Sequence, residues 1–367
     1  MNSAKKNIVV LATGGTIAGA GEQGKNIGYK SGSIEAQTLI DAVPELKNVA
    51  NIFVEQVCNI NSDDITSEIW ISLALRIKEL SENGFGATHE NVDGFVIMHG
   101  TDTMEETAFF LSLVLDIVKP VVLTGSMRPA TAAEPDGPAN LLFAVKSAVE
   151  LSSRNVIPAS EPESRRNHHS SFAKSMPVFV AFAGKLMDAR SVQKIHANDL
   201  DAFAEVDNSS VILSEVEGSF ELSSRPVIPA SVPGRDHHLV PAFDISALRS
   251  LPKVSVLYFN ADADADLVRF AAERSAGLVI AGAGAGEFSQ SWAAAIADIV
   301  AKKIPVVIST RINRGCIVPE QLLVPGTIAA YDLPPAKAAV LLRLALTVTR
   351  EPVEIQKFFE CHPGASR

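Results

Sequence analysis

What the 367-residue chain lacks already narrows its possible roles. No apolar run approaches the roughly 20 residues needed to span a bilayer, so membrane insertion is not expected. Cysteine is scarce: Cys58, Cys316 and Cys361 are odd in number and far apart, with neither metal-ligand spacing nor a disulfide framework, and packing is the role expected of them. An excess of positive charge is missing as well. Thirty-two Lys and Arg against 42 Asp and Glu give a net charge of −10, which repels phosphate backbones at long range, argues against general nucleic-acid binding and favours a small-molecule substrate. The opening residues Met1-Asn2-Ser3-Ala4-Lys5-Lys6 lead directly into a strand-like run, with no separate apolar segment and cleavage site, so a cytoplasmic location is expected. What is present is ordinary: 47% hydrophobic and 20% charged residues, in a chain long enough for two domains with sizeable cores.

Two threonine-bearing stretches stand out. Val9-Val10-Leu11-Ala12-Thr13-Gly14-Gly15-Thr16-Ile17-Ala18-Gly19 follows one apolar run, and His99-Gly100-Thr101-Asp102-Thr103 follows another in the same way. In an open parallel sheet, ligands sit beyond the carboxyl ends of the strands, so hydroxyls in both places can converge on one site. Gly14 and Gly15 let the backbone turn sharply and approach a bound molecule, which would leave Thr16 on an exposed, mobile segment. A glycine pair after a strand is also the mark of a phosphate loop or of a plain strand-to-helix turn. Thr101 and Asp102 add a hydroxyl and a carboxylate just before a helix implied by Met104 to Leu111, whose positive end carries Glu105 and Glu106. Either residue would equally serve as that helix's cap.

The wider pattern is α/β. Ile8 to Leu11, Ile52 to Cys58, Phe95 to Met98, Val121 to Thr124 and Val178 to Phe182 read as strands. Between them, Ile69, Leu73, Ile77 and Leu80 share one helical face, and Asp136 followed by Pro138 reads as a cap and first-turn proline opening a helix over Asn140 to Val149. This alternation predicts a mainly parallel sheet with flanking helices. A second set, Val254 to Phe259, Leu278 to Ala281 and Val306 to Ser309, ends in helices near Pro335 to Thr347 and Pro352 to Phe359, a smaller α/β domain of its own.

Between these sets a segment recurs: Glu150-Leu151-Ser152-Ser153-Arg154-Asn155-Val156-Ile157-Pro158-Ala159-Ser160 returns nearly intact as Glu221-Leu222-Ser223-Ser224-Arg225-Pro226-Val227-Ile228-Pro229-Ala230-Ser231. Two Pro- and Ser-rich copies without helical or strand period do not stack into a core, so they read as inserted surface loops. His168-His169 and His237-His238 trail the two copies. Adjacent histidines point in different directions, so solvated loops are a better reading than a metal site. The expected division is residues 1–203 as the larger domain with an insert at about 150–173, 204–242 as a linker holding the second copy, and 243–367 as the smaller domain.

In its motifs the chain resembles the bacterial-type L-asparaginases, a family that includes the asparaginase-glutaminases. The resemblance runs through Leu11 to Gly19, Tyr29, Asn59-Ile60-Asn61-Ser62-Asp63-Asp64, Phe95 to Glu106, Leu123-Thr124-Gly125-Ser126-Met127-Arg128-Pro129, Asp136-Gly137-Pro138-Ala139-Asn140-Leu141 and Asp188 to Lys194. It implies a flavodoxin-like larger domain and hydrolysis of L-asparagine to L-aspartate and ammonia through a β-aspartyl-enzyme ester, without metal or organic cofactor. It also implies a homotetramer, a dimer of intimate dimers in which one subunit completes the site of another. Thr16 matches the nucleophile and Tyr29 the tyrosine that completes the lid and assists proton transfer. Thr101, Lys194 and Asp102 match a second threonine-lysine-aspartate group, in which an ammonium lowers the cost of deprotonating a neighbouring hydroxyl or water. Ser62 and Asp102 match contacts to the substrate's α-carboxylate and α-amino groups. Main-chain N–H groups near Gly15 and Thr16 or Thr101 would stabilise the oxyanion.

Some positions depart from the family pattern. Asp63 stands where Gln or Glu is usual, which changes the α-amino end of the pocket; Met98 stands where threonine is common; and Ala285 stands where enzymes that also accept glutamine often carry asparagine, which favours asparagine as substrate. The acidic residue that a neighbouring subunit supplies has its nearest counterpart in Glu320, at a different spacing from Gly315. Alternatives to a dedicated asparaginase are a broader asparaginase-glutaminase, an amidase acting on a tRNA-linked amino acid, and a catalytically impaired amino-acid-binding protein.

Overall fold

Ile8, Val9, Val10 and Leu11 all have no exposed surface, as expected of a parallel strand covered on both faces rather than one that alternates between core and water. They belong to β1 (Asn7–Gly14), the strand around which the first half of the chain is organised. The computed structural model describes residues 4–25, 28–154, 178–206, 213–216, 219–222 and 243–360. They fall into two compact units: one takes the described residues up to Leu222 together with Asp244–Ser246, the other Phe243 and the residues from Ala247 onward.

In chain order the first unit comprises β1, α1 (Ala36–Asp41), α2 (Leu46–Val49), β2 (Asn51–Ile60), α3 (Ser67–Asn83), β3 (Gly94–Met98), α4 (Met104–Val114), β4 (Val121–Thr124), α5 (Gly137–Arg154), β5 (Val178–Phe182), β6 (Lys185–Asp188), β7 (Val192–Lys194), β8 (Phe203–Glu205), β9 (Leu213–Val216) and β10 (Ser219–Leu222). Its main sheet runs β2-β1-β3-β4-β5-β6, parallel except for β6, which returns antiparallel to β5. Five strands in the order 2-1-3-4-5 are the doubly wound flavodoxin-like arrangement, whose switch point lies between β1 and β3. Side chains alternate across the sheet: Ile8, Val10 and Ala12 of β1 join Val96, Met98 and Val122 in one core with Leu39 and Ile40 of α1, Leu46 of α2, and Leu141, Ala144 and Val145 of α5. On α3 and α4, Trp70 stacks on Phe110 with ring centroids 5.2 Å apart. Each fully buried Val, Leu or Ile contributes roughly 1.5 to 3 kcal/mol, so this core fixes where the strands end. Two short antiparallel pairs, β7 with β8 and β9 with β10, stand apart from the main sheet.

The second unit contains β11 (Val254–Tyr258), α6 (Asp266–Ala272), β12 (Gly277–Gly282), α7 (Gln290–Ala301), β13 (Val306–Thr310), β14 (Ile328–Ala329), α8 (Pro335–Ala345) and α9 (Pro352–Glu360). Its four strands are parallel and in sequential order. Trp292, Ile296 and Ile299 of α7 pack with Val268 of α6 and with Leu278, Ile280, Val306 and Ile308 of the sheet. The edge strand β14 is closed by a side chain: the Gln356 amide of α9 accepts from Ala329 N at 2.8 Å and donates to Ala329 O at 3.2 Å.

Several expectations are refined by this structure. Leu73, Ile77 and Leu80 are buried on α3 as their spacing predicts, whereas Ile69 is only half-buried and Trp70 takes the interior position. The helix expected from Asn140 begins at Gly137 and continues to Arg154. The Asp136 carboxylate faces backwards, accepting from Met127 N and Arg128 N at 2.9 Å each, so it braces the preceding loop. The repeated segment is not loop throughout. Glu150 to Arg154 form the last turn of α5, while the matching Glu221 and Leu222 lie on β10, paired with Ser214 and Leu213. The rest of both copies and both His-His pairs lie outside the described residues.

Candidate active site

Three turns, after β1, β2 and β3, press against one another at the carboxyl ends of the main sheet. Gly14 (φ 108°) leaves no room for a side chain: a Cβ would lie 2.4 Å from Ile60 O. At Gly15 (φ 79°) a Cβ would lie 2.4 Å from both Cα and N of Gly100. A Cβ on Gly100 would in turn lie 2.7 Å from Ser62 Oγ. Glycine is therefore required here for close backbone approach, and that approach brings the Thr16, Ser62 and Thr101 segments together. Gly15 N donates to Ile60 O at 2.9 Å, and Thr13 Oγ1 donates to Met98 O at 3.1 Å, which joins the turns across the switch point.

Thr16 opens a short 3-10 turn, Thr16–Ala18, and is only 9% exposed, so the exposed position expected from the glycine pair is not found. Its Oγ1 lies 3.0 Å from Tyr29 Oη. The segment bearing Tyr29 folds back over the turn through paired hydrogen bonds between Ala20 and Lys30, and Gly21 N donates to Thr131 Oγ1 at 3.1 Å. Gly19 is needed there because a Cβ would lie 2.7 Å from Tyr29 Cδ2.

After β3, Thr101 is 4% exposed and Asp102 reaches solvent. Neither caps α4, whose N-cap position is Thr103. Lys194 Nζ instead donates to Thr101 Oγ1 at 2.9 Å and to Asp102 Oδ1 at 2.6 Å. With the Thr101 oxygen accepting from an ammonium, its own proton is directed elsewhere. Thr103 Oγ1 donates to Ser62 O at 2.8 Å, which fixes the turn after β2 to the one after β3. Ser62 Oγ is buried and has no hydrogen-bond partner among the described residues. Asp63 is exposed and accepts from Asn61 Nδ2 at 2.8 Å. Glu320 sits on an exposed 3-10 turn, Pro319–Gln321, of the second unit, and is not among the residues that these turns collect.

Behind Thr101 lies a buried polar chain that the sequence did not reveal. Trp70 Nε1 donates to Thr107 Oγ1 at 2.8 Å, Thr107 Oγ1 lies 3.0 Å from His99 Nε2, and His99 Nδ1 lies 2.7 Å from Gly100 O. A carbonyl only accepts, so Nδ1 carries the proton and Nε2 accepts from Thr107. Complete burial pushes the imidazole pKa down to about 4, so the ring is neutral at pH 7. Glu105 was equally unmarked except as an acidic residue in the first turn of α4: its Oε2 accepts from the backbone N of Lys194 at 2.6 Å. No sequence spacing signals either contact, because each joins residues brought together by the fold.

Comparison with known proteins agrees with this architecture. The asparaginase N-terminal family model matches residues 7–158, and the glutaminase/asparaginase C-terminal domain model matches residues 253–359. A probable periplasmic L-asparaginase of Haemophilus influenzae is 36% identical over 359 residues, covering 96% of this chain and 92% of the relative. L-asparaginase 2 of Bacillus subtilis is 37% identical over 359 residues, covering 96% of this chain and 86% of the relative. A glutaminase-asparaginase of Pseudomonas fluorescens is 33% identical over 359 residues, covering 96% and 90% respectively. The crystal structure of a probable cytoplasmic L-asparaginase from Campylobacter jejuni superposes with a TM-score of 0.80 at 37% identity, covering 98% of this chain and all of that one. Fold and matches together define a two-domain α/β protein of the amidohydrolase class. Within that class, the chain belongs to the asparaginase family.

Proposed function

We propose that this protein hydrolyses L-asparagine to L-aspartate and ammonia by acyl transfer through Thr16. The observation that carries the reading is the placement of two hydroxyl centres on adjoining strand-end turns: Thr16 bonded to Tyr29, and Thr101 bonded to Lys194, which also pairs with Asp102. Thr16 Oγ1 attacks the side-chain amide carbon. Its proton passes to Tyr29 oxygen as the tyrosine's own proton moves on towards the departing nitrogen, so ammonia leaves without a free phenolate forming. Water then attacks the β-aspartyl ester, one proton returns to Thr16 Oγ1, and aspartate is released. The Lys194 ammonium polarises Thr101 and lowers the cost of orienting and deprotonating that water. Main-chain N–H groups near Thr16 or Thr101 take up the developing negative charge, the Gly15 N–H being already engaged by Ile60 O; removing one such donor typically costs about 3 to 4 kcal/mol.

A zwitterionic substrate needs its poles held apart. The buried Ser62 hydroxyl, without a hydrogen-bond partner among the described residues, supports its assignment to the α-carboxylate, since binding would supply a hydrogen bond. Asp102 serves the α-amino group, with Asp63 at the same end of the pocket. Glu320 is the acidic residue that one subunit would offer to another in a homotetramer, and light scattering of the purified protein checks the assembly. For location, the Campylobacter protein is called cytoplasmic, which supports the cytoplasm, while the Haemophilus relative is called periplasmic; fractionation of native cells separates the two.

The chief alternative is a broader asparaginase-glutaminase, which similarity to the Pseudomonas protein keeps in play. Ala285, in place of asparagine, favours the narrower substrate. Ammonia release from L-asparagine and L-glutamine, measured side by side with a Thr16→Ala control, tests the proposal. Asparagine turnover lost in the control is the expected result. A folded protein that turns over neither amide, or a fully active control, would overturn it.

A further inference from the structure

Lys194 occupies a position that the main sheet does not fix. It ends β7, which among the described residues pairs with β8 alone, in a two-stranded ribbon separate from the six-stranded sheet whose strand β3 leads into Thr101. A lysine on a short ribbon, with four rotatable side-chain bonds, would not by itself hold its ammonium within hydrogen-bond distance of one hydroxyl. Two carboxylates tie the ribbon down. Glu205 of β8 accepts from Asp188 N of β6 at 2.7 Å, and Glu105 of α4 accepts from Lys194 N itself at 2.6 Å. Glu105 is the second residue of α4, whose positive end favours a carboxylate there. The helix is anchored by Met104, Ala108, Phe109, Phe110 and Leu111, all fully buried.

The consequence is a two-point clamp on a single residue. Thr101 and Asp102 hold the tip of Lys194, and Glu105, three positions beyond Asp102 in the same strand-to-helix segment, holds its root. We propose that Glu105 is a positioning residue: its side-chain oxygen, accepting the hydrogen bond from the Lys194 amide, sets the register of β7 against α4 and so delivers the ammonium to Thr101. The proposal rests on the reading of Lys194 as part of the catalytic group. Loss of the root contact lets the ammonium drift, and displacements on the order of 1 Å in a reacting constellation cost as much as about 100-fold in rate.

The test compares steady-state kinetics on L-asparagine and thermal melting for Lys194→Met, Glu105→Ala, Glu105→Gln and Glu105→Asp. Lys194→Met should lose most of kcat. Glu105→Ala should lose roughly 10- to 100-fold in kcat with a smaller change in KM, because Glu105 itself makes none of the contacts assigned to the substrate. Glu105→Gln keeps a carbonyl acceptor of the same reach and should retain most of kcat. Glu105→Asp keeps the charge but falls a methylene short, and should resemble Glu105→Ala. If the alanine variant does not fold, the Gln and Asp pair decides: Asp as active as Gln, or more so, overturns the proposal. Wild-type kcat in Glu105→Ala beside an inactive Lys194→Met overturns the positioning role and leaves the reading of Lys194 standing. A fully active Lys194→Met overturns both.

Discussion

The Thr16 hydroxyl lies 3.0 Å from the Tyr29 hydroxyl, and both are held in a segment that folds back on itself through the Ala20 and Lys30 backbones. That pairing separates two effects of substitution. Tyr29→Phe keeps the ring that packs on Gly19 and removes only the relay oxygen. Its kcat should fall by roughly 100- to 10,000-fold, with a smaller change in KM. Stopped-flow or coupled ammonia assays check this, and a Tyr29→Phe enzyme with wild-type kcat would remove the tyrosine from proton transfer.

Ser62 carries a buried hydroxyl with no hydrogen-bond partner among the described residues, an arrangement that costs stability until a ligand arrives. Ser62→Ala should leave the melting temperature of the substrate-free protein unchanged or raise it, by up to about 1 kcal/mol in stability. The same variant should bind aspartate more weakly and raise KM by roughly tenfold or more, as expected for the loss of a hydrogen bond to a charged group. Calorimetric melting with and without aspartate measures both. A variant destabilised when empty, yet unimpaired in binding, would place the hydroxyl in a purely structural role.

Gly15 combines a φ of 79° with a Cβ position 2.4 Å from the Gly100 backbone. Gly15→Ala incurs left-handed strain of about 1 to 3 kcal/mol and forces the turns after β1 and β3 apart. Its melting temperature should fall, and activity should fall further than stability alone explains, because Thr16 and Thr101 ride on the two displaced turns. Circular dichroism melting alongside kcat is the check; an active, fully stable Gly15→Ala would show that the close approach is dispensable.

His99 makes acid stability predictable in sign. Its pKa is held down at about 4 by burial, so the folded state keeps the ring neutral where the unfolded chain, near pH 6.5, takes up a proton. The contribution is therefore present in full above about pH 6.5, declines as pH falls towards 4, and amounts to about 3 kcal/mol across that window. Melting curves from pH 7.5 to 4 should show a shallower acid loss in His99→Gln than in the wild type, even if the variant is less stable throughout. Equal slopes would mean that the imidazole does not titrate between the two states.

Much of the fold could be read from the chain because its central strands are buried on both faces. Ile8 to Leu11 and Phe95 to Met98 are nearly continuous apolar runs, which is what such burial demands. β6, β7 and β8 were not legible, since they are three or four residues long, half polar and stabilised by partners distant in sequence. The repeated Glu-Leu-Ser-Ser-Arg string makes the same point: it ends a helix at Arg154, whereas in the other copy its first two residues lie on a strand. Local propensity yields there to tertiary pairing. Tyr29 and Lys194 came into view only through family resemblance, because no spacing rule joins Lys194 to Thr101. Glu105 and the chain from Trp70 to His99 are visible only in the folded structure, which brings together residues far apart in sequence.

The most direct test of the acyl-transfer mechanism is acid quenching during turnover of L-asparagine, followed by peptide mapping by mass spectrometry. The predicted result is an added aspartyl group on the peptide containing Thr16, absent from the Thr16→Ala protein and enriched in Lys194→Met if that variant slows ester hydrolysis. An aspartyl group on the Thr101 peptide, or undiminished turnover by Thr16→Ala, would contradict the assignment of Thr16 as the nucleophile.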